Sequence, residues 1–118
     1  MKLTLGDIRV MKDPMSKLLD NVLPIKVAWK LTKLVKSFDK ELSEIEEFRI
    51  NLIKKLGVDS GDGSIKVPDD KMDGFIAEFH ELLETEIDVE FDPIDIELLG
   101  DNVSLSTKDL IMMDKVFK

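Results

Sequence analysis

Residues 24–56 read PIKVAWKLTKLVKSFDKELSEIEEFRINLIKKL, and the fold turns on whether this run is one helix. Apolar residues recur at Leu31, Val35, Phe38, Leu42, Ile45, Leu52 and Leu56, with Phe48 and Ile53 beside them. From Leu31 to Leu56 the stripe completes about seven turns of about 3.6 residues, the α-helical repeat. Pro24 precedes the run and Gly57 follows it, each where helices commonly begin and end. At about 1.5 Å per residue the helix is about 50 Å long, wider than a compact ball of this chain. The sequence therefore predicts a rod, part of which protrudes or meets a partner.

Working outward toward the N-terminus, Lys2 to Leu5 reads as a short strand. Asp13-Pro14 has the form of an N-cap followed by proline at the first helical position, which predicts a short helix to about Asn21 within the segment 1–22. On the other side a connector, 57–68, leads into Pro68-Asp69-Asp70 and a second helix over 69–85. Met72, Phe75, Ile76, Phe79, Leu82 and Leu83 are expected to form its buried face. At Glu86 the period changes to two. Ile87, Val89 and Phe91 alternate with acids, and so do Ile94, Ile96 and Leu98. This predicts strands within 86–105, with Pro93 forcing a turn, bulge or edge position and Val103 with Leu105 adding a third. Ser106-Thr107-Lys108-Asp109 resembles a capping box with Asp in place of Glu and opens a final helix over 106–117. The expected fold class is α+β in one domain, 1–118: the long helix, a second helix packed with a small antiparallel sheet, and a short C-terminal helix.

The 118 residues suffice for one modest core, and a 36% charged fraction predicts a densely charged surface. With no cysteine, disulfides and thiolate metal sites are excluded. The start, MKLTLGDIRV, lacks the apolar run of a signal peptide, and no stretch approaches the roughly 18 apolar residues of a membrane span. A soluble intracellular product is the expectation. The net charge of −8 is unevenly placed, since residues 1–57 hold 12 Lys and Arg against 8 acids, whereas 58–118 hold 5 against 17. Two faces attracting each other within one fold account for this; an interaction surface is the sharper alternative.

GVDSGDGSIKVPDD, residues 57–70, contains the centre of a calcium loop in Gly61-Asp62-Gly63-Ser64-Ile65. An EF-hand with Gly63 at its sixth position would begin at Val58, which has no side-chain oxygen, and would end on Asp69 next to Pro68. That donor set is too poor for calcium, and Asp62-Gly63 between Val58 and Ile65 is a tight-turn signal instead. No metal or other cofactor is expected. His80, the single histidine, lies four residues before Glu84; the pair could do acid–base chemistry, but no converging second group accompanies it, and a structural role is favoured. No catalytic residue is assigned.

Trp29 falls opposite the apolar stripe of the long helix, among Lys26, Lys33, Lys36 and Lys40. Tryptophan among lysines suits a protein-contact surface; the plainer expectation is that segment 1–22 covers it with Leu3, Leu5, Ile8 and Val10. A pI near 4.6 opposes nucleic-acid binding through these lysines. Asp88, Glu90, Asp95 and Glu97 form a candidate acidic face, read either as a solvated sheet surface or as an imitation of a phosphate backbone.

The run Leu23-Pro24-Ile25-Lys26-Val27-Ala28, continuing through Leu31, Lys33, Glu41-Leu42, Glu46-Glu47, Arg49, Leu52-Ile53-Lys54 and Gly57, resembles a small uncharacterised protein family of tailed bacteriophages and prophages. Glu78-Phe79, Glu81-Leu82-Leu83, the Ile87 and Val89 alternation, and Leu105-Ser106 with Leu110 and Asp114 are similar to that family's second half. Trp29 departs from the pattern, which carries another aromatic or apolar residue there. The resemblance implies a phage origin, in the host cytoplasm or the virion, and supplies no catalytic residue. The expected function is non-enzymatic protein binding in virion assembly or as a virion component, the partner being a phage structural protein or a second copy. The alternative is an acidic inhibitor that binds a basic host DNA-acting or defence protein.

Overall fold

The computed structural model describes Met1–Lys118. In chain order its elements are β1 (Lys2–Thr4), α1 (Leu5–Leu19), α2 (Ile25–Leu56), β2 (Val58–Asp59), β3 (Ile65–Lys66), α3 (Asp69–Leu83), β4 (Glu86–Asp88) and α4 (Thr107–Met112), with 3-10 turns at Ile96–Leu99 and Asp114–Val116. The expected rod is present as one unbroken 32-residue helix. Val27, Leu31, Leu34, Phe38, Ile45 and Leu52 form its buried stripe. Together with two small antiparallel ladders and a short C-terminal helix, it makes the fold α+β.

The N-terminal helix starts earlier than Asp13-Pro14 implies. Thr4 and Asp7 form a reciprocal capping box: the Asp7 N–H donates to Thr4 Oγ1 at 3.0 Å and the Thr4 N–H donates to Asp7 Oδ2 at 2.9 Å. Leu5, Ile8, Met11, Met15 and Leu18 then recur every three or four residues and are all buried. Pro14 lies inside this helix rather than at its start, with its ring in the core. A mid-helix proline removes one hydrogen bond. Five buried apolar neighbours on the same stripe keep the helix continuous through it.

Residues 86–105 do not form the expected strands. Only Glu86–Asp88 pairs, antiparallel to β1, with Leu3 opposite Ile87. A period-two pattern needs a partner edge to become a sheet, and β1 offers three residues. Beyond it Ile94 makes a single parallel bridge to Phe117, Ile96–Leu99 winds into a 3-10 turn, and Val103 with Leu105 packs as irregular chain against the core. The final helix is likewise shorter than expected, ending at Met112 before the 3-10 turn at Asp114–Val116. Its capping box is as read: the Asp109 N–H donates to Ser106 Oγ at 3.0 Å.

The layers follow from these stripes. α1 packs along the N-terminal half of α2, and α3 packs on its C-terminal half, where Lys55 and Glu78 approach to 3.9 Å. The C-terminal segment closes over α1 through Lys17–Asp109 at 3.3 Å and Lys115–Asp7 at 2.9 Å. The Arg9 guanidinium lies 5.1 Å from the Phe79 ring centre and joins α1 to α3. The expected buried face of α3 is buried only in part: Phe75, Phe79, Leu82 and Leu83 are half-buried, while Met72 and Ile76 are open to solvent. With α1 on one half of α2 and α3 on the other, the long helix leaves the molecule elongated, 53 × 28 × 23 Å.

Candidate functional site

The first turns of α2 carry the one surface on which the sequence-derived candidates converge. α1 occupies the buried stripe, so the opposite side stays open along the N-terminal half. Val22, Ile25 and Trp29 are 84%, 85% and 60% exposed. The expectation that segment 1–22 covers Trp29 is overturned: Leu3, Leu5 and Ile8 lie in the core on the other side of α2, and Val10 faces solvent. The Lys33 ammonium lies over the indole ring, 5.5 Å from its centre.

Lys26, Lys30, Lys33, Lys36 and Lys40 stand three or four residues apart, so they share this face with Trp29. All five are exposed, and none takes part in the ion pairs of the molecule. The first acid of α2 is Asp39. At the start of the helix, Pro24 offers no capping side chain and the first turn holds no acid. The positive end of the helix dipole is thus left uncompensated beside a row of like charges, an arrangement that costs local stability.

The four candidate acids do not form one face. Asp88 accepts the N-terminal ammonium at 3.3 Å. Asp95 accepts the Glu97 N–H at 3.1 Å and so caps the 3-10 turn, while Glu97 is exposed in that same turn. Glu90 instead comes to the lysine side. With Asp92 and Phe91 it lines an open cleft of about 390 Å³ whose other wall is Lys30 and Lys33. The Lys30 ammonium sits 5.8 Å from the Phe91 ring centre, and no ion pair closes across the cleft. The acidic and basic halves therefore meet here without a direct ion pair.

The connector is a small hairpin, with Val58 opposite Lys66 and Asp59 opposite Ile65. Gly61 and Gly63 adopt φ of 88° and 86°, which permits the five-residue turn. Hydrogen bonds from the Ser60 and Ser64 hydroxyls and from the Ser64 N–H hold the exposed Asp62 carboxyl down to about 2. Its Oδ1 is committed to the turn itself. His80 is exposed in the last turn of α3, and no side-chain hydrogen bond joins it to Glu84.

Lys30, Val22, Ile25 and Phe91 belong to the face and were not singled out in the sequence. Lys30 and Ile25 were legible, lying four residues from Lys26 and Trp29. Phe91 was not, because its place depends on the path of residues 89–95 across α2. Comparison of the chain with protein-family models, curated proteins and solved structures finds no match.

Proposed function

We propose that this is a non-enzymatic binding protein, and that the solvent face of α2 docks an anionic protein surface around Trp29. The observation that carries the reading is the set of five unpaired lysines on one helical face, beside an uncapped helix start. Like charges at this spacing destabilise a helix by about 0.2–0.5 kcal/mol per pair, and an anionic partner would remove that cost. Trp29, Ile25 and Val22 supply the apolar centre that such an interface needs, with the lysines as its charged rim. The setting implied by the phage resemblance is virion assembly, as an assembly factor or a virion component. The inhibitor reading has less behind it, because Asp88 and Asp95 are already engaged within the chain.

The experiment is complementation in the source phage. Lys33→Glu with Lys40→Glu is expected to lower the yield of complete particles while the purified variant unfolds at or above the parent's temperature. Normal yield from a normally folded variant would refute the reading.

A further inference from the structure

A second open helical face has the complementary character. Asp69, Met72, Asp73 and Ile76 lie at i, i+3, i+4 and i+7 on α3 and so share one side of that helix. Met72 and Ile76 are 36% and 47% exposed. An apolar pair one turn apart, flanked by aspartates, thus mirrors Ile25 and Trp29, one turn apart and flanked by lysines. The two faces cannot meet within one molecule. Trp29 and Leu52 are about 35 Å apart along the α2 axis, and α3 packs at that far end, with Glu78 beside Phe48, Leu52 and Lys55.

Pairing of like faces is disfavoured by charge. Joining two α2 faces would set lysines against lysines, and joining two α3 faces would set aspartates against aspartates, each juxtaposition being repulsive. Only an α2 face set against an α3 face matches opposite charges around both apolar pairs. We propose that the occupant of the α2 face is the α3 face of a second copy of this chain. This rests on the α2 face being a protein-docking surface. A head-to-tail contact repeats, giving a ring if its rotation closes and an open filament if it does not. Each contact spans two or three helical turns, so it is small, weak alone and strongly weakened by salt.

Sedimentation velocity of the full chain tests this. At about 0.01 M salt the parent is expected to form species that grow with concentration, and at about 1 M salt to run as a monomer. Trp29 emission should shift to the blue as the species form. Trp29→Ser with Lys33→Ser, and separately Asp73→Ser with Ile76→Ser, should each weaken association at least tenfold. Mixing these two variants should restore association that stops at a dimer, since each retains one working face. That recovery also shows that both variants fold.

A parent that stays monomeric up to about 1 mM in low salt overturns the self-pairing. The α2 face then remains a docking surface for a different protein, and the particle-yield experiment decides that reading separately. Association that survives in either variant, or a mixture that fails to recover, also overturns the proposal.

Discussion

Gly57 is fixed by its surroundings rather than by its backbone angles. Its φ of −84° suits any residue, but a Cβ there would clash with both the Ile53 carbonyl oxygen and Ile65 Cγ2. Gly57→Ala is therefore expected to cost about 1–3 kcal/mol, through overpacking where α2 meets the hairpin. Gly74 is the opposite case: a Cβ on this exposed α3 residue meets nothing within 4 Å. Gly74→Ala should stabilise by about 0.5–1 kcal/mol. Urea unfolding of the two variants checks both signs. Two carboxylates carry a pH dependence. Partial burial would raise the Asp7 carboxyl, but the Lys115 ammonium and the Thr4 N–H outweigh it and hold the group below its usual range. At Asp109 burial is similarly outweighed by Ser106 and Lys17. Both are depressed, so their contribution is full above the unfolded value near 3.8 and is lost as pH falls through the lower folded value. The urea midpoint should drop as the pH is taken below about 4, and Lys115→Met should flatten that drop.

At the scale of elements, α2 trades stability for an open charged face. Lys26→Glu places an acid in the first turn, where it meets the helix dipole favourably and pairs with Lys30 at i+4. Thermal unfolding should show a gain of about 0.3–1 kcal/mol, together with weaker binding at the lysine face. The reverse holds at α1, where Thr4→Ala removes one half of the capping box and should cost about 1 kcal/mol. How far each element was legible depends on how many residues state the same pattern. α2 repeats its stripe over 32 residues, so its length and both ends are readable without neighbours. α1 was misread because Asp13-Pro14 gives a strong local start signal, whereas Thr4 with Asp7 gives a quieter one. Ile87, Val89, Phe91, Ile94 and Ile96 alternate as strands do, yet strand formation is settled by an available edge, which lies 84 residues earlier at Leu3. The candidate face divides in the same way. Helical spacing alone places Trp29 with its lysines, but its exposure depends on which side of α2 the N-terminal helix takes.

For the molecule as a whole, the decisive quantity is shape. A compact chain of this length has a radius of gyration of about 13–14 Å. The observed value is 17.6 Å, because α2 spans almost the full 53 Å of the long dimension. That extension keeps the lysine face at one end and the α3 aspartates toward the other, so the two cannot quench each other within one copy. It also keeps Trp29 outside the core, so Trp29→Ala should change stability by no more than about 0.5 kcal/mol. The most direct check is small-angle X-ray scattering on dilute protein at high salt, where single copies dominate. The elongated molecule should give a radius of gyration near 17.6 Å and a longest dimension of at least 53 Å. A value near 13–14 Å, which a folded-back α2 would give, would contradict it and take away the open face on which the binding role rests.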